Sequence, residues 1–149
     1  MIFQHTIENV LNGTKTQTSR IVKPGDYIQY ADTGAGETYH VYIEGVYRNR
    51  RPLWKVGNTY AVQPGRGQKA VARIRILQIS KQDVRHITAE EARAEGFNSE
   101  VEFFEVWCKM HDPKGFELLA KPYYGHWMDF LHRPAERYTA WVIRFELVK

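Results

Sequence analysis

An α+β domain, a small and strongly bent β-barrel with helices packed against it, is what this sequence of 149 residues predicts. Three observations carry that expectation. Many short β-type runs are punctuated by Gly and Pro, a few well-capped helical segments are interposed among them, and a long alternating strand closes the chain. The length fits one domain over residues 1–149, since single cores commonly reach this size before splitting.

Thr6 stands at an N-cap position, and Ile7, Val10 and Leu11 repeat at helical spacing before Gly13 ends the turn. Residues Lys15 to Ile21 read as strand or extended loop, Pro24-Gly25-Asp26 as a turn, and Tyr27 to Tyr30 as a short strand. Gly34-Ala35-Gly36 opens a second hairpin from Tyr39 to Tyr47, with Arg48-Asn49-Arg50-Arg51-Pro52 at its tip or end. The region from about Tyr39 to Val56 has the character of a basic hairpin insertion. Thr59 to Gln63 and Val71 to Ser80 are strands, the second alternating Arg73 and Arg75 with Ile74 and Ile76.

Thr88-Ala89-Glu90-Glu91 is a capping box whose helix Gly96 ends, and Asn98 or Ser99 caps the next helix. There Val101, Phe104 and Cys108, with Phe103, Trp107 and Met110, recur every three or four residues, so the helix is amphipathic and docks on a sheet. Asp112-Pro113-Lys114-Gly115 breaks it. The aromatic stretch from Phe116 to Pro134 reads as irregular. Thr139, Trp141, Ile143, Phe145 and Leu147 alternate with polar neighbours, the mark of a half-buried closing strand.

Composition narrows the function classes. No apolar run approaches the roughly 18 residues of a membrane span. No secretory leader is evident at the start, and the single Cys108 excludes an internal disulfide framework, so a cytoplasmic address is expected. The net charge of +4 is unevenly spread. Between Arg48 and Arg85 ten cations face Asp83 alone, whereas His86 to Glu105 holds six glutamates against Arg93. The basic segment is interleaved with Tyr47, Trp54 and Tyr60, and cations with aromatic rings attract phosphates and bases. The competing reading is a solvated hairpin whose arginines pair with the acidic helix.

The densest chemistry lies in Gly13-Thr14-Lys15-Thr16-Gln17-Thr18-Ser19-Arg20, where a G-x-K-x-x-x-x-R spacing puts two cations and a hydroxyl within eight residues. A pocket for a polar or anionic ligand needs such groups. Other constellations are weaker. Cys108-x-x-His111 with His126 and His132 mimics a zinc set, but Cys108 falls on the apolar side of its helix, so no metal is expected. Gly65-Arg66-Gly67-Gln68-Lys69 lacks the Walker pattern; it reads as a glycine turn offering Arg66 and Lys69 to a backbone phosphate. Tyr123, Tyr124 and Trp127 are candidates for a base-stacking wall. No cofactor is implied, and oligomeric state stays open.

Taken in order, these features resemble the ASCH domain family of the PUA-like superfamily, small β-barrels that bind RNA. The likeness rests on the helix ending in Asn12-Gly13, on Gly13, Lys15 and Arg20, on the Pro24-Gly25-Asp26 turn, on Glu95-Gly96-Phe97, and on the final strand Trp141 to Leu147. It implies a cleft between barrel and helices containing Lys15, Thr18, Arg20 and Glu95, with RNA or a modified nucleoside as partner. Arg66, Lys69, Arg73, Arg75, Trp54 and Tyr60 are further candidates for ligand or RNA contact. Many ASCH members carry glutamate where this chain has Thr18, and the threonine is similar to the branch that hydrolyses N4-acetylcytidine. In that branch Thr18 would be nucleophile, Lys15 base, and Glu95 the group that positions the amine or relays a proton. The segments 39–56 and 116–134 are not parts of the compact hydrolase pattern. Some ASCH proteins cleave RNA, which would require histidines as acid and base, but the six present show no persuasive pair spacing.

Overall fold

A computed structural model describes residues 1–32, 41–120 and 125–149. Its elements run α1 (Ile7–Leu11), β1 (Gln17–Ile21), β2 (Asp26–Asp32), β3 (Val41–Arg48), β4 (Arg51–Lys55), β5 (Thr59–Val62), β6 (Ala72–Asp83), α2 (Ala89–Ala94), α3 (Glu100–His111), α4 (Pro113–Leu119), α5 (Gly125–Leu131) and β7 (Thr139–Val148). The α+β class holds. The described strands form two antiparallel sheets, ordered β1-β7-β6-β5 and β2-β3-β4. Val46 of the small sheet meets Ile76, Ile79, Trp141 and Ile143 of the large one, and that cluster is the core between them.

Local chemistry sets most boundaries. Thr88 caps α2 by accepting from the Glu91 amide, and the Glu91 carboxylate in turn accepts from the Thr88 amide, closing the capping box. Ser99 caps α3 through the Glu102 amide. Between β3 and β4, Asn49 and Arg50 both take positive φ, the pattern of a two-residue primed turn, whose twist matches the flanking strands. Midway along β6 a register shift between Ile76 and Gln78 leaves Leu77 outside the pairing with β7, a β-bulge.

Two expectations change. Asp112-Pro113 does break α3, but α4 starts at once, with Pro113 at the helix start where its missing N–H costs nothing. The supposedly irregular stretch after Phe116 is therefore helical over most of its described length. Phe116 and Leu119 of α4, with Phe130 and Leu131 of α5, pack on a core built by α3, and that tertiary burial overrides the weak local pattern. The closing strand differs as well. Ala140, Trp141, Val142 and Ile143 are all buried, because β7 is central, with helices over one face and the second sheet over the other. The Gly34-Ala35-Gly36 turn, with Tyr123 and Tyr124 of the supposed stacking wall, lies outside the described residues.

Polar anchors hold the lobes together. Asp26 accepts from Arg48 at 2.5 and 3.0 Å, from the Lys23 amide at 2.9 Å and from Trp141 Nε1 at 3.0 Å, tying the sheets at one corner. Asp112 accepts from Arg133 at 3.0 and 2.8 Å and from the Tyr138 hydroxyl at 2.5 Å. Burial alone would raise the Asp112 carboxyl, yet the bonds from Arg133 and Tyr138 outweigh it and hold it below the usual carboxylate range. Around this triad there is no spare room, since a Cβ on Gly115 would stand 2.1 Å from the Tyr138 hydroxyl oxygen. Gly115→Ala should therefore cost on the order of 1–3 kcal/mol or more as Tyr138 is forced off Asp112. Urea unfolding measures this, and a loss below about 0.5 kcal/mol would contradict the packing described.

Candidate functional site

Glu95 is delivered by a helix ending. The Gly96 amide bonds to the Arg93 carbonyl at 2.9 Å and the Phe97 amide to the Ala92 carbonyl at 3.0 Å, the paired bonds of a Schellman motif with Glu95 as C-cap. Gly96 takes φ +97°, where a side chain is strained, and a Cβ there would also press to 3.1 Å from Thr6. The two carbonyls at this helix end are taken by the segment before β1. The Thr16 amide donates to Ala94 O at 2.9 Å and Lys15 Nζ donates to Glu95 O, so an ammonium sits at the negative end of α2.

The side chain of Glu95 lies against β1, which is an edge strand among the described strands. Gln17 Nε2 donates to Oε1 at 3.1 Å, Ser19 Oγ to Oε1 at 2.5 Å, and the Ser19 amide to Oε2 at 3.1 Å, while Lys15 Nζ stands 3.5 Å from Oε2. Both partners of this ion pair are 3% exposed. Such a pair is costly to desolvate and holds only because the remaining oxygens are satisfied. For Lys15 the desolvation dominates. Burial pushes the amine down, Glu95 pulls it partly back up and Arg20 pushes it down again, and the balance leaves it at about 8.

These groups meet in one cavity of about 180 Å³. Lys15, Thr18, Ser19, Arg20 and Glu95 make its polar wall; Phe3, Phe97, Phe103 and Trp107 make the apolar one. The four residues of the expected cleft are thus brought together. Thr18 is 5% exposed, and among the described residues its hydroxyl makes no hydrogen bond. Arg20 donates through Nη2 to Ile2 O at 2.7 Å and lies 5.2 Å from the Phe3 ring centroid. Its Nε is buried and has no hydrogen-bond partner among the described residues. An orphan donor of this kind in a cavity wall is an open position for an acceptor.

The other candidates lie elsewhere. Arg66 and Lys69 are exposed in the β5–β6 connection, and Arg73 and Arg75 project from the solvent face of β6. Arg73 reaches Thr59, and Arg75 pairs with Glu146 at 3.2 Å. Trp54 and Tyr60 pack on the core between the sheets, and the Tyr60 hydroxyl accepts the Lys55 amide at 2.7 Å. Neither lines the cavity. Among the described residues no basic-segment arginine pairs with the acidic helices, Arg48 being held by Asp26 and Arg85 by Asp83. Cys108 is buried against the Tyr138 hydroxyl, and no metal-holding cluster occurs among the described residues. Of the described histidines only His5 lines the cavity.

Several contributors escaped the sequence reading. Gln17 and Ser19 sit inside the motif octet, and on an edge strand their alternation with Thr18 was a usable signal for a second face. Phe97 follows the helix-ending glycine directly. Phe3 carried no signal, since its place depends on pairing of the first residues with Gln63.

Neither a protein-family model nor a curated protein sequence matches the chain. Among solved structures the fold is similar to that of a DUF984 protein from Enterococcus faecalis, with TM-score 0.53 and 16% identity over 95% of this chain and 68% of the other. It is similar also to the ASCH domain from Lactobacillus crispatus, with TM-score 0.52 and 16% identity over 95% and 69% of the two chains. The chain has the architecture of an ASCH domain. No helix among the described residues is long and apolar enough to cross a membrane.

Titration of Lys15, followed by its side-chain carbon shifts in NMR, should centre near pH 8 instead of the usual value of about 10.4. Glu95→Gln should move it lower still, because the carboxylate is what raises it. The unfolded chain then holds this proton more tightly than the folded one, so the contribution of Lys15 to stability rises with pH between those two values. Titration at the ordinary lysine value would show that the amine is hydrated.

Proposed function

We propose that the chain binds a nucleobase, from RNA or from a modified nucleoside, in the cavity between β1, the first residues and α3. The observation that carries this reading is the pairing of an aromatic wall with a polar one that includes the unpartnered Arg20 Nε. Ligand sites are commonly apolar hollows with a few convergent polar groups. At about 180 Å³ the space is below the roughly 300 Å³ of a drug-sized pocket. It suits one ring, with sugar and phosphate left outside. The likeness to an ASCH domain supports the reading, as RNA binding is what that resemblance implies.

Calorimetric titration with cytidine, uridine and N4-acetylcytidine tests it. Arg20→Ala should weaken the preferred nucleoside about tenfold or more, the usual loss for a hydrogen bond from a charged donor. Wild-type protein that takes up none of these nucleosides above background ends the proposal.

A specific observation favours a second reading, hydrolysis of N4-acylated cytidine. Lys15 is lowered to about 8, so roughly a tenth of it is neutral at pH 7, and Thr18 shares its cavity. In this reading the neutral amine takes the Thr18 proton while Thr18 Oγ1 bonds to the acyl carbon. The bond from that carbon to cytosine N4 breaks, and the proton passes from Lys15 to the leaving nitrogen. Water then splits the acyl-threonine, releasing the carboxylic acid and restoring the hydroxyl. Glu95, engaged by donors on both oxygens, acts by positioning Lys15. Incubation with N4-acetylcytidine should release cytidine, and Thr18→Ala or Lys15→Ala should cut the rate at least about a hundredfold. Absence of release by the wild type, or rates unchanged in both variants, removes this reading.

A further inference from the structure

The β2-β3-β4 sheet has two faces. Ile28, Val46 and Trp54 lie opposite one another across its strands and face the core. The residues between them turn outward: Tyr27 opposite Tyr47, and Gln29 opposite Gly45, itself opposite Lys55. The Tyr27 and Tyr47 rings stack, with centroids 5.4 Å apart and planes 16° from parallel. Tyr27 is 46% exposed and Tyr47 only partly so, so Tyr47 backs a ring that presents itself to solvent.

Cations border this platform. A Cβ on Gly45 would stand 3.2 Å from Lys55 Cγ, which means the Lys55 stem crosses the space a larger side chain would fill. At the tyrosine end, Arg50 and Arg51 are exposed at the β3–β4 turn, and Lys23 is exposed just before β2. That turn adjoins the start of β2, since a Cβ on Gly25 would lie 3.1 Å from Asn49 Oδ1. Among the described residues Lys23, Arg50, Arg51 and Lys55 form no ion pair.

We propose that this outer face is a binding site for single-stranded nucleic acid, separate from the cavity. An unpaired base stacks on Tyr27, Arg50, Arg51 and Lys23 meet the phosphates on one side of it, and Gln29 and Lys55 meet the neighbouring nucleotide. Stacking on a backed aromatic ring combined with uncompensated cations is the chemistry that single strands use, and it needs no sequence-specific contact. An acidic peptide would pair with the cations but gain little from the ring face. The site uses Tyr27, far from the basic run in sequence, in place of Trp54 and Tyr60, which the core consumes.

Fluorescence anisotropy with a labelled single-stranded oligoadenylate, read across salt concentrations, tests the proposal, with circular dichroism and urea unfolding checking that each variant is folded. Tyr27→Ala should weaken binding at least about fivefold while Tyr27→Phe stays within about twofold. Arg50→Ala combined with Arg51→Ala should weaken binding and flatten the salt slope by roughly 1.4. The same sequence annealed into a duplex should bind more weakly. Equal affinity for the duplex, or unchanged affinity in folded Tyr27→Ala, overturns the proposal. So does displacement of the oligonucleotide by polyglutamate that binds wild type and Tyr27→Ala equally, since that outcome marks a dock for acidic peptides.

Discussion

The Glu95 carboxylate reaches a place almost without water, and the edge strand β1 with the residues before it supplies the donors that make this tolerable. Lys15, Gln17 and Ser19 all come from one short stretch, yet Glu95 lies 80 residues from Lys15 at the end of a helix. The clamp joins strand to helix and so defines where the cavity can form. An unpaired carboxylate here would carry a desolvation penalty of several kcal/mol, so the acid and its donors stand or fall together. The same dryness depresses the lysine. A structural junction and an amine with a lowered pKa are thus products of one burial event, and the functional reading depends on the structural one.

The second sheet and the helical lobe solve a different problem. Both attach to the large sheet through a carboxylate serving several donors, Asp26 at the corner with Arg48 and Trp141, and Asp112 under Tyr138 and Arg133. In each case burial works against the charge and hydrogen bonding outweighs it. Basic residues counted as a reservoir of nucleic-acid contacts are partly spent on these joints: Arg48 and Arg85 serve the fold, while Arg50 and Arg51 remain open to solvent.

What was legible in the sequence was local. The capping box at Thr88, the stop at Gly96, the turn at Pro24-Gly25 and the alternation of Arg73 and Arg75 each depend on neighbours within four residues, and each stands as read. The meeting of Lys15 with Glu95 depended on a resemblance, because no spacing rule connects residues so far apart. Trp54 and Tyr60 were grouped with Tyr47 because all three are aromatic. Strand register separates them: Trp54 pairs with Val46 and shares its inward face, whereas Tyr47 pairs with Tyr27 and turns out. Helices α4 and α5 were missed since each has only seven residues and is held by contact with α3 instead of by its own periodicity.

The clamp on β1 also bears on solubility. An edge strand presents a row of unmatched amides and carbonyls on which another chain can add itself, and that is a common route to aggregation. By taking the Ser19 amide, Glu95 fills one position in that row with a charged acceptor that no incoming strand can replace without stranding it. At the far side of the same sheet, the Met1 amino group bonds to Ala61 O of β5 and Ile2 pairs with Gln63 just past its end, covering that border in a comparable manner. The groups that shape the hollow therefore also guard the border of the sheet, and a substitution at Glu95 would open both at once.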